Sequence, residues 1–237
     1  MKVNIINPNT SKEMTEMIRQ SALSAAGSTT EIVCTQLKRG PSYASCAYDN
    51  VVVSYELVQM VRQAETAGEF DAYVVASFAD PALDALREVT DKPVVGIAES
   101  AIHFAAFLGY RFSIINSMPR LEKIFRDEVK NAGAEGRLAS ILLPSRDISD
   151  FLNHEDSAMQ ILVETAKRTM ERDGAEVILL GGGMLSGYAE ALSRIIGIPV
   201  LDGVKCAVKL AESLVSLGLK TSKFRIFAAP DFEKYQL

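Results

Sequence analysis

Cysteine is scarce in this chain, and the three present, Cys34, Cys46 and Cys206, have neither an even count nor metal-ligand spacing. That argues against a disulfide framework and fits reduced thiols in a cytoplasmic protein. Long apolar runs are missing too. No stretch approaches the roughly 18 residues that a membrane-spanning helix needs, and the first residues enter a strand pattern directly, without signal-peptide regions. Runs of Lys or Arg are absent, and the formal charge is −5. No electrostatic footprint for nucleic acid or for a membrane surface follows from such a balance. What is there is ordinary: 48% hydrophobic and 23% charged residues over 237 positions, which allows a sizeable core in one large domain or two small ones.

The apolar pattern alternates between strand-like and helix-like stretches. Val3 to Ile6 reads as a short buried strand ended by Asn7-Pro8, and Thr10 or Ser11 is placed to cap a helix with Met14, Met17, Ile18, Ala22 and Ala25 on one face. Glu31 to Leu37 reads as a strand, Val51 to Ala64 as a helix, and Asp71 to Ser77 as a third strand. Asp80 before Pro81 suits the cap and first residue of a helix running to about Glu88. Pro93 to Ile97 then predicts a strand and Ala101 to Leu108 a helix.

The second half has the same cadence. Strands are expected at Phe112 to Asn116, Ala139 to Leu143, Glu176 to Leu180 and Pro199 to Leu201. Helices are expected at about Pro119 to Ala132, Glu155 to Asp173, Tyr188 to Ile195 and Gly203 to Leu217. Pro144 to Asn153 reads as a polar connection, and Lys223 to Ala229 as a last strand.

Self-similarity extends to the letters. Ile5-Ile6-Asn7, a polar turn and a helix return as Ile114-Ile115-Asn116, a turn and a helix. The strand Asp71 to Ser77 and the proline-led Lys92-Pro93-Val94-Val95-Gly96 return as Ala175 to Gly181 and Ile198-Pro199-Val200-Leu201-Asp202. The fold class is therefore α/β, with two similar parallel-sheet halves arising by internal duplication and a ligand cleft between them. The halves are 1–110 with 206–237 returning to it, and 111–205.

Ligands of parallel α/β sheets gather outside the carboxyl ends of the strands. Those ends are Asn7-Pro8-Asn9-Thr10, Ser77-Phe78-Ala79-Asp80, Asn116-Ser117 and Gly181-Gly182-Gly183-Met184. Each leads into a helix whose free N–H groups suit a small anion or a carbonyl compound. The glycine triplet lacks dinucleotide-binding spacing.

Ile6-Asn7-Pro8-Asn9-Thr10-Ser11, Gly40-Pro41 followed by Ala47-Tyr48-Asp49, Ser77 through Ala85, and Pro199 through Val204 resemble the hydantoin and allantoin racemases of the aspartate/glutamate racemase superfamily. The resemblance covers nearly the whole chain. It implies two α/β halves around a small-molecule substrate, no cofactor, no metal, and a homo-oligomer. It also implies inversion at a carbon next to a carbonyl by two cysteines, one at each paired strand end, acting as base and acid. The matching positions here are Ser77 and Gly182, the candidate catalytic positions; Asn7, Thr10, Phe78, Asn116, Ser117, Gly181, Gly183 and Met184 are the candidate substrate-binding residues. A serine without an adjacent base is rarely an alkoxide near neutral pH, and glycine has no side-chain proton to exchange. Of the other reactive groups, Cys34 and Cys206 read as packing residues, His103 as a core or interface residue, His154 as a cap or surface group, and Asp49, Asp80 and Asp202 as carboxylates able to activate water, of which Asp80 and Asp202 also read as ordinary caps. Three readings follow: an isomerase-family protein acting on a hydantoin-, ureide- or amino-acid-derived carbonyl compound with altered acid and base, a hydrolase or lyase using Ser77 or an activated water, and a non-catalytic binder of small carboxylates or ureides.

Overall fold

The apolar β-branched runs form short parallel strands, and a computed structural model describes their arrangement over residues 1–143 and 155–234. The expected connection Pro144 to Asn153 and the cap or surface site at His154 lie outside the described residues. Strands β1 (Lys2–Asn7), β2 (Glu31–Gln36), β3 (Ala72–Val75) and β4 (Val94–Gly96) form one sheet in the order β2-β1-β3-β4. Strands β5 (Phe112–Asn116), β6 (Leu138–Leu142), β7 (Val177–Gly181) and β8 (Val200–Asp202) form a second in the order β6-β5-β7-β8. The two orders are the same, and every pairing is parallel. Two similar α/β halves are thus present.

Helices α1 (Lys12–Ala25), α2 (Ala47–Ala67), α3 (Leu83–Val89) and α4 (Ile97–Leu108) follow the first four strands. Helices α5 (Glu122–Asn131), α6 (Glu155–Asp173), α7 (Ala189–Ile196) and α8 (Gly203–Ser216) follow the second four. Strand side chains alternate between two buried faces, as expected of sheets covered on both sides. Val3, Ile5 and Val74 share one core cluster with Ile114, Val177 and Leu179 of the other half. Ile6, Tyr73 and Val75 face outward onto Leu57 and Val61 of α2, while Ile178 and Leu180 face Leu162 and Ala166 of α6. The shared inner layer is lined by Ala98, Ala101 and Ala105 of α4 and Val204, Ala207 and Ala211 of α8. Small side chains let these two helices lie close, and a Cβ on Gly203 would stand 2.7 Å from the Ile97 carbonyl oxygen. No helix among the described residues is long and apolar enough to cross a membrane.

Three sequence expectations change. Ser11 caps α1 as expected, its hydroxyl accepting the Met14 N–H at 3.1 Å. Asp80, however, does not open α3; that helix starts at Leu83 behind Ala82, whose φ is +65°. The Asp80 carboxylate instead accepts the N–H groups of Ala98 (3.1 Å) and Glu99 (2.7 Å), capping α4 from a neighbouring loop. Local sequence suggested the nearest helix, but the packing presents another helix N-terminus. Lys223 to Ala229 is not a strand. It has no partner strand among the described residues, Phe224 and Ile226 are exposed, and Lys223 Nζ donates to the carbonyls of Arg87 (2.5 Å) and Glu88 (2.8 Å) at the end of α3. His103 is not a core residue: it is exposed on α4, with Nδ1 2.7 Å from the Glu99 carbonyl oxygen.

The cap on α4 needs Gly96. A Cβ there would overlap the carboxyl group of Asp80. Gly96→Ala should therefore lower stability by about 1–3 kcal/mol, the usual cost of overpacking, read as a lower urea midpoint at unchanged m-value.

Candidate functional site

The carboxyl ends of β1, β3, β5 and β7 converge on a cavity of about 50 Å³ between the halves. That is several times the roughly 10–15 Å³ that one water needs, and it suits a small molecule rather than a nucleotide. The first half contributes Pro8, Asn9, Met14, Tyr43, Ala44 and Ala76 through Ala79. Opposite them stand Asn116, Ser117, Met118, Leu121, Phe125 and Gly181 through Met184. The two paired strand ends lie side by side, since a Cβ on Gly183 would sit 3.8 Å from the Ala76 carbonyl oxygen. Phe78 and Phe125, both buried, meet edge to face at 5.1 Å and tie the halves together beside the cavity.

Ser77, Phe78, Asn116, Ser117, Gly181, Gly182, Gly183 and Met184 all line the cavity, as the strand-end reading expected. Asn7 and Thr10 do not. Asn7 is buried behind the wall, where its Nδ2 contacts Asn9 Oδ1 (2.8 Å), Thr15 Oγ1 (2.9 Å) and the Ser11 carbonyl (3.2 Å). Thr10 points away, its hydroxyl and N–H donating to the Pro41 carbonyl at 3.2 and 3.0 Å. Both residues shape the loop that holds Asn9. Asn9 lay within the expected strand end Asn7-Pro8-Asn9-Thr10 but was not singled out as a binding residue; Met14, Tyr43, Leu121 and Phe125 were not foreseen as lining residues. The motif around Pro8 contained Asn9, but which of two nearby asparagines faces a cleft is settled by turn geometry. Met14 was visible only as part of an apolar helix face.

Among the described residues, the side chains around the cavity carry no formal charge, and Tyr43 is the one ionisable residue. Ser77 is half-buried, and its hydroxyl oxygen accepts the Ala79 N–H at 3.3 Å; no His or carboxylate hydrogen-bonds to it among the described residues. Asn116 closes a turn on itself, its Oδ1 accepting the Met118 N–H (2.8 Å) and its Nδ2 donating to the Met118 carbonyl (2.6 Å). Gly182 has φ +147° and ψ +147°, a backbone region that side chains rarely adopt, although the space around its missing Cβ is open.

The other reactive groups lie outside this cavity. Burial pushes the Cys34 thiol up to about 11 and, aided by Asp202, the Cys206 thiol up to about 12, so neither supplies thiolate near neutral pH. Cys46 precedes α2 as its N-cap residue and is not among the lining residues. Asp49 accepts the Ser45 N–H (2.8 Å) and hydroxyl (3.1 Å). Asp202 caps α8 at the Val204 N–H (2.9 Å) and also accepts the Ser21 hydroxyl (2.7 Å) and the Gly187 N–H (3.0 Å). It thereby fastens α1 to the loop following Gly182. Among the described residues, no three His, Cys, Asp or Glu groups are placed to hold a metal.

Known proteins match this architecture. A family model described as Asp/Glu/Hydantoin racemase matches residues 3–211. The chain belongs to that racemase family. The hydantoin racemase of Paenarthrobacter aurescens is 40% identical over 235 residues, which cover 99% of this chain and all of that protein. Allantoin racemase from Klebsiella pneumoniae superposes with a TM-score of 0.93 at 35% identity, covering 98% of this chain and 94% of that one. That of Pseudomonas fluorescens gives 0.91 at 33%, covering 98% and 97%. The racemase-family fold thus extends over the described residues, and its strand-end cavity here holds Ser77 and Gly182.

A second, open cleft of about 520 Å³ lies on the outer side of Asp80, among Asp84, Arg87, Glu99, His103, Glu128 and Asn131. Arg87 pairs with Glu99 at 2.5 Å there. Burial, reinforced by Glu99, Asp127 and Asp84, pushes the Glu128 carboxyl up to about 7.

Two measurements follow. A carboxyl whose pKa is raised on folding favours the folded state most below its unfolded pKa of about 4.3, and that stability is lost as pH rises toward the folded value. The stability difference between the native protein and Glu128→Gln, from urea unfolding, should therefore shift against the native protein between about pH 4.5 and 7 and then level off. At position 77, Ser→Cys should change stability by less than about 1 kcal/mol. Gly182→Cys should cost about 1–3 kcal/mol for its backbone conformation. Thermal unfolding of the two variants compares them directly.

Proposed function

We propose that this racemase-family protein recognises a small hydantoin-, ureide- or amino-acid-derived carbonyl compound in the cavity between its halves, without a cofactor and without the two-base proton exchange of a racemase. One observation carries the reading: among the described residues no thiol, imidazole, amine or carboxylate lines the cavity, and Tyr43 is the one ionisable side chain there. A carbon acid next to a carbonyl gives up its proton slowly unless a base with a matched pKa is within hydrogen-bond reach. Neither Ser77 nor Gly182 supplies one. The recognition half of the reading is supported by strand-end amides and hydroxyls around a mostly apolar floor, as is usual where few polar groups orient a small ligand. The same absence of a base argues against Ser77 as a hydrolytic nucleophile.

The test is to incubate the protein with each enantiomer of 5-methylhydantoin and of allantoin in deuterated water, following the ligand by NMR. Saturable binding of at least one compound is expected, with the proton on its stereogenic carbon retained and its optical rotation unchanged. Enzyme-dependent exchange at that carbon would refute the claim that proton transfer is absent, and ring opening would point instead to a hydrolase. Failure of all four ligands to bind would remove the recognition claim.

A further inference from the structure

Asn9 stands in the cavity wall with its amide held in one orientation. Its Oδ1 accepts the Ser11 backbone N–H at 2.9 Å and Asn7 Nδ2 at 2.8 Å. A backbone N–H can only donate, so the carbonyl side of the Asn9 amide must face Ser11, and the NH₂ must face the other way. There Nδ2 lies 3.1 Å from Met14 Sδ. Asn9 is only 5% exposed, and both it and Met14 line the cavity. A thioether sulfur is a weak acceptor, so a buried amide donor facing one is poorly satisfied. Methionine is also the apolar side chain best able to change rotamer and vacate a space.

We infer that Asn9 Nδ2 is the donor that receives a ligand carbonyl oxygen, and that the Met14 thioether is a placeholder which the ligand displaces. The inference rests on the recognition reading above and deepens it by naming the atom. Three features favour a ligand at this point rather than a purely structural amide. The orientation is fixed from behind by Asn7 and Ser11, so the donor needs no reorganisation when a ligand arrives. The side chain is uncharged, and among the described residues no Lys, Arg or His lines the cavity, so a neutral carbonyl is not outcompeted by a carboxylate drawn to positive charge. The group in front of the donor is soft and replaceable, whereas the amide of Asn116 is closed on Met118.

The prediction separates the donor from the fold. In Asn9→Asp the side chain keeps an oxygen for Ser11 and Asn7 but loses the N–H directed at Met14. Met14→Leu keeps the bulk and removes the sulfur. The probes are 5-methylhydantoin and its 2- and 4-thio analogues, titrated by calorimetry, with the Asn9 side-chain amide followed by ¹H–¹⁵N NMR. The native protein should bind the parent hydantoin and discriminate against at least one thio analogue, since sulfur is the weaker acceptor. The Asn9 amide proton should move downfield on binding. Asn9→Asp should weaken the parent hydantoin by about tenfold or more, the usual cost of a lost buried hydrogen bond, and should lose the discrimination against that thio analogue. Met14→Leu should shift the Asn9 amide in the free protein and bind the hydantoin as well as the native protein does or better. Equal affinity in the native protein and Asn9→Asp, or an Asn9 amide that ignores saturating ligand, overturns this inference while leaving recognition by the cavity in place. Absence of binding of these probes by the native protein overturns this inference, and recognition falls with it only if both enantiomers of allantoin also fail to bind. The amide shift needs no mutant, so a variant that folds poorly does not blunt the test.

Discussion

A tight constraint in the molecule is the meeting of two helix N-termini, those of α4 and α8, at the seam between the halves. Gly203 opens α8 directly against the Ile97 carbonyl, leaving no room for a Cβ. Each helix N-terminus carries the equivalent of about half a positive charge and free N–H groups. Two such ends cannot be buried together unless something negative accompanies each. Asp80 accompanies α4 and Asp202 accompanies α8; both carboxylates are buried, and both accept backbone N–H groups of the helix they serve. The shared core, the adjacent strand ends and the cavity depend on this arrangement.

The halves reach it by different routes. In the second half the capping carboxylate belongs to the last residue of β8. In the first, the corresponding strand ends in Gly96, and the carboxylate is delivered by Asp80 from the loop after β3, into the space that a side chain on residue 96 would take. Reaching that far bends the loop: Asp80 and Ala82 both take positive φ, at 37° and 65°. Burial and the neighbouring Glu99 push the Asp80 carboxyl well above the ordinary range, against the pull of its two backbone donors. The same loop carries Ser77 and Phe78, so their placement is tied to the cap on α4. In the other half, Asp202 also holds the Gly187 N–H, so its loop is likewise fixed by a capping carboxylate. Similar topology thus conceals an exchange of chemistry between chain positions.

That exchange explains what could and could not be read from the letters. Strands such as Val3 to Ile6 and Val177 to Leu180 were legible because both their faces are buried and their composition is unambiguous. The repeated Ile-Ile-Asn and the proline-led strands revealed the two halves because duplication preserves order. The Ser11 cap was legible because cap and helix are adjacent in sequence. Asp80 was misassigned for the opposite reason: its partner N–H groups belong to residues 98 and 99, and no local rule prefers a distant helix end to a near one. Lys223 to Ala229 carried a plausible alternation but pairs with no strand among the described residues, and alternation without a partner does not make a strand. At the site, which strand ends gather was visible, but which side chains look inward was not. Asn7 and Asn9 are two residues apart in a tight turn, and only its three-dimensional course puts one behind the wall and the other on it.

The proposed recognition and the proton transfer of a racemase would draw on different parts of this architecture, so the first does not require the second. The polar wall is held by hydrogen bonds that the fold itself needs: Asn7 to Asn9 and Thr15, Ser11 to Asn9, Thr10 to Pro41, Asn116 to Met118. Removing them would leave buried polar groups unsatisfied, so folding itself maintains the cavity wall. Acid and base side chains at positions 77 and 182 have no such support; Ser77 holds a single long bond to Ala79, and Gly182 has no side chain to hold. At 182 the constraint reaches the backbone, because φ +147° is a conformation that glycine permits and cysteine resists. A thiol there would need a reshaped turn between β7 and Leu185, and that turn is fastened through Gly187 to Asp202 and so to the helix seam. The chemistry of position 182 is therefore set by the same carboxylate that holds the halves together, and a change of side chain alone does not amount to a change of mechanism.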